Sequence, residues 1–470
     1  LFLDEWHVSQ LSSVLLYLPV WLYERLNGGT DGIYLALRYL FVAVQSLVSA
    51  AVYLRLRRYH RAGAAAGALA LAMYTPFGIN ALSYNSLGVL LLSLTGALLV
   101  PAGERSRAAY LLAGLCFAGT VLCCPYLALV YVLYALAVVL LRKRPARLPA
   151  FSLHAFALFT LGAAILAAAF FLLGLRGADL SRLPAALQGI FSDPEHAGRT
   201  SFLRSLLRLA LRYPYHVLYR AHPLPGACLL LMLALSLAAL LDKRREQHAA
   251  AYFLAGTALT AAAEILYAVL WPHPNFMMYA VNVLALLCFV LTPPSDADAA
   301  RRLALLWWLP GMLYSALIIL GSNQGHFAIF SAAASAVPCS VTVAFRTAKH
   351  VFPERKPLRA AAAAALAVLV LAQAGGTAYL RYRNVFWGAT IHEQTETITE
   401  GTHKGLIVEP ESAKLYASTQ PAMAELARRS GGGRVLVLTE YTWMSMGDYQ
   451  NAAYSPWLSG VDDTTLDRLE

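Results

Sequence analysis

Twelve apolar stretches alternate with linkers along this chain, and the basic residues crowd into every second linker. The stretches begin near Ile33, Ala62, Gly88, Ala108, Leu127, Phe151, Gly226, Ala250, Phe276, Leu303, Phe327 and Ala360. Most run about 16–24 residues, and roughly 20 helical residues cross a bilayer core of about 30 Å. Inside lipid every backbone polar group has to be satisfied within the chain, which leaves the helix as the spanning form for runs of this length. The expected fold is an all-α polytopic membrane bundle with 12 spans in this chain.

The linkers after the odd-numbered stretches carry the cations. They hold Arg55, Arg57, Arg58 and Arg61; Arg105 and Arg107; Arg142, Lys143, Arg144 and Arg147; Lys243, Arg244 and Arg245; Arg301 and Arg302; and Arg346, Lys349, Arg355, Lys356 and Arg359. These make up twenty of the 37 Lys and Arg. The short linkers of opposite parity, near Ser83–Leu87, Pro125, Trp271–Asn275 and Gly321–Gln324, hold none. The positive-inside rule assigns the basic set to the cytoplasm. Residues 1–31, the loop 176–225 and the tail 381–470 then fall outside. A mean hydropathy of +0.56 excludes a soluble globule. The net charge of +11 sits largely beside anionic headgroups, so the expected partner is the lipid bilayer and not nucleic acid. The six Cys show neither metal spacing nor a disulfide framework. The Ala/Leu/Arg-rich composition suits a high-GC bacterium, which makes the inner membrane the expected location.

Three regions follow. Residues 1–31 are an external segment in which Gln10–Tyr23 reads as an interfacial helix. Since the chain starts outside at Leu1, an earlier helix is expected to carry the N-terminus across, giving 13 spans in the full protein. Residues 32–380 form the bundle, interrupted by the loop 176–225, which reads as two amphipathic helices. The tail, 381–470, holds 12 of the 26 acids. There Gly405–Glu409 and Arg434–Glu440 read as strands and Gln420–Arg429 as a helix ended by Ser430-Gly-Gly-Gly433, an external C-terminal α/β domain that ends mid-domain.

Polar residues gather at the ends expected to lie outside: Asp4, Glu5 and His7; Tyr84 and Asn85; Asp193, Glu195 and His196; His273 and Asn275; Asn323, Gln324 and His326. For any one of them a solvated loop is explanation enough. Together, amides and imidazoles without cations suit a shared external cavity. Asp4 and Glu5 are the candidate catalytic carboxylates, the competing reading being a hydrated loop or a helix cap. Arg204, Arg208 and Arg212 recur every fourth residue on one face of an amphipathic helix, placed to hold lipid phosphate or simply to reach ordinary headgroups. Arg38 lies within the first stretch and suits the phosphate of a lipid donor, or pairing with Asp31 or nearby carbonyls. Glu264 is the one acid within a stretch, suited to pairing with Arg38, to proton coupling or to a structural hydrogen bond.

The acidic first loop with its interfacial helix, the expected 13 spans and the external C-terminal domain resemble the GT-C class of integral-membrane glycosyltransferases. That class includes the protein O-mannosyltransferases and the lipid A aminoarabinose transferases. Asp4-Glu-Trp-His-Val-Ser-Gln-Leu11, Thr30-Asp-Gly-Ile33 and Leu82-Ser-Tyr-Asn-Ser-Leu-Gly88 are also similar to a group of uncharacterised bacterial membrane proteins related to it. The resemblance implies a polyprenyl-phosphate-linked sugar as donor, a cell-envelope glycan, lipid or protein as acceptor, and transfer on the external face. It implies a catalytic acid in the first external loop, which here maps onto Asp4 or Glu5. No cofactor is required, although Asp4 and Glu5 together suit a divalent ion. The competing expectations are a transporter or flippase for lipid-linked sugar, and a non-catalytic envelope scaffold.

Overall fold

The computed structural model describes residues 11–76, 80–101, 103, 106–141, 148–174, 202–270, 274–320, 324–383, 390–435 and 450–451. Helices α1 (Val14–Asn27), α2 (Ile33–Leu56), α3 (Arg61–Ala72), α4 (Tyr84–Leu99), α5 (Arg107–Cys123), α6 (Ala128–Leu141) and α7 (Leu153–Gly174) come first. After the undescribed residues follow α8 (Phe202–Tyr215), α9 (Pro223–Leu241), α10 (Arg245–Leu270), α11 (Pro274–Val290), the rod α12 (Pro294–Leu320), α13 (His326–Val351) and α14 (Lys356–Arg383). The tail adds α15 (Pro410–Ser430), the antiparallel pair β1 (Glu396–Thr397) and β2 (Ile407–Val408), and the parallel pair β3 (Arg434–Val435) and β4 (Gln450–Asn451).

A helix lies on each of the twelve apolar stretches. Among the described residues seven are long and apolar enough to cross a membrane: α2, α7, α9, α10, α12, α13 and α14. The others are shorter apolar helices, and α3 is the shortest of them at 12 residues. At about 1.5 Å per residue, α3 reaches only some 18 Å. It is capped at its start by His60, whose Nδ1 accepts from Gly63 N at 3.1 Å, and the chain leaves the helix at Met73.

The chain divides into two compact units. One comprises Leu1–Phe41, Ala168–Ser205 and Tyr382–Glu470. Within it the turn before α2 is knitted to the tail. Gly32 N donates to Gly401 O at 2.9 Å and Tyr34 N to Thr402 O at 3.3 Å. Gly32 sits at φ +74°, a conformation that favours glycine, and a Cβ there would press on the Tyr23 hydroxyl at 3.2 Å. The segment Thr30-Asp-Gly-Ile33 is thus a docking turn. The strands of the tail are two residues each, shorter than the sequence pattern predicts, and residues 436–440 lie outside the described set. The helix expected over Gln420–Arg429 instead starts at Pro410, with Glu411 in its first turn. Pro421, near the expected start, lies inside the helix. On the turn before it, Thr419 Oγ1 donates to Tyr416 O at 2.7 Å and Ser418 Oγ to Leu415 O at 2.8 Å.

The other unit comprises Val42–Ala167 and Leu206–Arg381. Small residues bring its helices close. A Cβ on Gly67 of α3 would sit 2.8 Å from the Pro338 backbone of α13, and one on Gly114 of α5 would fall on the Phe159 carbonyl of α7. Trp307 is fully buried against Gly96 and donates its indole N–H to Ser335 O at 2.8 Å. It lies in a π-helical turn, Ala304–Trp308, just ahead of Pro310, whose missing N–H such a turn accommodates. Asn282 donates to Ala333 O at 2.9 Å and accepts from the Ser340 hydroxyl at 2.7 Å, tying α11 to α13.

Candidate functional site

In the first unit the chemistry gathers where the tail meets the start of α2. His403 stacks within 4.3 Å of the Tyr34 ring and 4.7 Å of Tyr416, and its Nδ1 lies 3.0 Å from the Thr402 hydroxyl. Burial, with the charge of Arg38 adding to it, pushes the His403 imidazole down to about 4. It is therefore neutral at physiological pH, and Arg38 carries the positive charge here. Arg38 makes no ion pair among the described residues. The carboxylate expected as its alternative partner, Asp31, faces Lys404 at 3.8 Å instead.

In the second unit two imidazoles meet at the end that the charge pattern assigns to the outside. His216 and His326 stack with ring centroids 6.3 Å apart. Gly325, at φ +53°, lies directly on the His216 ring, where a Cβ would approach to 3.0 Å. His216 opens a π-helical turn, His216–Arg220, at the end of α8. Its Nδ1 is buried without a hydrogen-bond partner. Burial and the charges of Arg212 and Arg220 lower its pKa. Nearby, the Tyr213 hydroxyl lies 2.6 Å from that of Tyr279 and 3.3 Å from Ser315 Oγ.

The residues singled out from sequence are only partly placed. Asp4, Glu5, His7, Asp193, Glu195, His196, His273 and Asn323 lie outside the described residues, as do the side chains of Arg204, Arg208 and Asn275. Arg212 is exposed on α8, the most sharply two-faced of the described helices. Gln324 is exposed, Asn85 half-buried, and His326 joins His216. Tyr84 and Asn85 belong to a segment with structural work of its own. Ser83 and Ser86 cap α4 reciprocally at 3.4 and 2.9 Å, and Gly88 makes room for the Tyr314 hydroxyl. Glu264 is 2% exposed on α10, and its Oε2 has no hydrogen-bond partner among the described residues. Sequence reasoning missed His216, His403 and Arg381. Each gains its setting from a segment more than a hundred residues away, and the only local hint is a titratable residue beside an apolar run.

Among the described residues no group of three or more His, Cys, Asp or Glu converges as a metal site would. The described architecture defines a helical, multi-pass membrane protein. No protein-family model, curated protein or solved structure matches the chain.

Proposed function

We propose that this protein is a membrane glycosyltransferase that moves one sugar from a polyprenyl-phosphate-linked donor to a cell-envelope acceptor on the external face of a bacterial inner membrane. In this reading all twelve apolar helices cross, the basic linkers face the cytoplasm and the tail lies outside. The observation that carries it is Arg38: a guanidinium inside the first apolar helix, without an ion-pair partner among the described residues, beside a neutral imidazole. A guanidinium matches two phosphate oxygens at once, and near the end of a membrane helix a lipid phosphate is the anion at hand. Asp4 or Glu5 takes the proton of the acceptor hydroxyl as its oxygen bonds to the sugar C1, in an inverting displacement. The C1–O bond to phosphate breaks, and polyprenyl phosphate leaves.

Glu264 favours a second reading. A buried intramembrane carboxyl with an unpartnered oxygen suits a transporter or flippase for the lipid-linked sugar. Lipid mass spectrometry with leaflet assignment separates the two, on a deletion strain complemented by wild type, Arg38→Gln or Asp4→Asn/Glu5→Gln. Outer-leaflet polyprenyl-phosphate sugar cleared by wild type alone is the expected result. Build-up confined to the inner leaflet identifies a flippase, and no change in any lipid-linked sugar rules out the transferase.

A further inference from the structure

Three segments of the second unit meet where α3 ends. The Gln45 amide of α2 donates to Leu71 O at 2.9 Å and to Tyr74 O at 2.5 Å. From α14, Arg381 Nη2 donates to the same Tyr74 carbonyl at 3.2 Å and to Met73 O at 3.4 Å. The Leu71, Met73 and Tyr74 carbonyls at the end of α3 are thereby occupied. What remains unpartnered is two N–H groups, which only donate, and two hydroxyls, which donate or accept. Arg381 Nε, Thr75 Oγ1, Gln373 Nε2 and Ser49 Oγ are all buried without a hydrogen-bond partner. Thr75, Gln373 and Ser49 are each more than nine-tenths buried. Gln373 lies two turns from Arg381 on the same face of α14, and Ser49 one turn from Gln45 on α2.

The charge is unbalanced as well. Arg381 makes no ion pair among the described residues, and the undescribed stretches on either side, 77–79 and 384–389, contain neither Asp nor Glu. A half-buried cation with an unpartnered N–H and no carboxylate paired to it among the described residues suits an anionic acceptor. We propose that Arg381, with Thr75 and Gln373, binds a phosphate-type oxyanion at the unwound end of α3. The Nη2 edge of the guanidinium is anchored to the Met73 and Tyr74 carbonyls, and the Nε edge faces the anion. The oxyanion is either free phosphate or the headgroup of a lipid. This site stands apart from the transferase reading, and its test does not measure sugar transfer.

The test uses the full chain, wild type and Arg381→Lys. Lysine keeps the charge and a donor for the two carbonyls but removes the second edge. Thermal unfolding in detergent is read with sodium phosphate against sodium chloride at equal ionic strength. Native mass spectrometry then reads retained lipid from nanodiscs of phosphatidylcholine with and without phosphatidic acid. A higher unfolding midpoint in phosphate for wild type, lost in Arg381→Lys, identifies free phosphate. Retained phosphatidic acid without a phosphate shift, again lost in the variant, identifies a lipid headgroup. Gln373→Leu is expected to weaken the same response several-fold, and it carries the test if Arg381→Lys does not fold. No response in wild type, or an equal response in wild type and the variants, overturns the proposal.

Discussion

α13 and α9 belong to the same unit and differ in a way that runs against hydropathy. α9 is the more apolar, with a mean hydropathy of 2.4 against 1.7, yet 33% of its apolar stretch is buried against 94% for α13. The reason lies in the solvent. Lipid tails are as apolar as leucine, so a leucine surface gains little by turning inward. α9 presents Leu230, Leu231, Leu237, Leu240 and Leu241 outward. α13 is built from Ala, Ser, Thr, Cys and Val around Pro338, and neighbours close on it through Gly67, Asn282 and Trp307. Close backbone approach and side-chain hydrogen bonds select the central helix.

The sharpest way to break this comparison is Gly67→Leu. Its added side chain has only the Pro338 backbone to displace, and overpacking of that kind costs about 3 kcal/mol. The expected outcome is loss of the monodisperse species in size-exclusion chromatography. A folded variant with the wild-type unfolding midpoint would show that small residues do not set the centre. Asn282→Leu comes next. It leaves the Ala333 carbonyl without its donor and removes the acceptor of Ser340, a loss of about 1–2 kcal/mol in detergent unfolding.

The polar junction of the first unit extends the comparison beyond the helices. His403 titrates at about 4 in the folded protein against 6.5 for a free side chain. Between those values the unfolded state binds more protons, so the junction loses stability as pH falls from about 6.5 toward about 4. Hydrogen exchange at the Gly32 and Tyr34 amides, corrected for intrinsic rates, should show protection falling through that window. Arg38→Gln removes a repelling charge and should raise the His403 value in an NMR titration; an unmoved value would separate the two residues. The smallest effect is expected on the leucine surface, where Leu237→Ala should stay within about 0.5 kcal/mol in the same unfolding assay.

Much of the helix pattern was legible in the sequence, since a long apolar run between polar linkers has few other ways to satisfy its backbone. The tail was less so. The helix expected from Gln420 begins ten residues earlier, at Pro410, and carries Pro421 inside it. Ser83-Tyr-Asn-Ser-Leu-Gly88 reads as the rim of a pocket, and its serines and glycine prove to be a cap and a packing contact. Asp31, within a few residues of Arg38 along the chain, is taken by Lys404 from the tail. At Gly88 and Asp31 a contact from a distant segment outranked the neighbour in sequence.

By itself the sequence determined where the helices run and which linkers carry the positive charge, because hydropathy and charge are local and additive along a chain. Only the tertiary structure decided which helix is central, and which buried donors, at Arg381 and Gln373 above all, are left over once the carbonyls are matched. Those outcomes depend on shape and on hydrogen bonds between segments far apart in the chain, and against lipid an apolar residue carries no information about which neighbour it will meet.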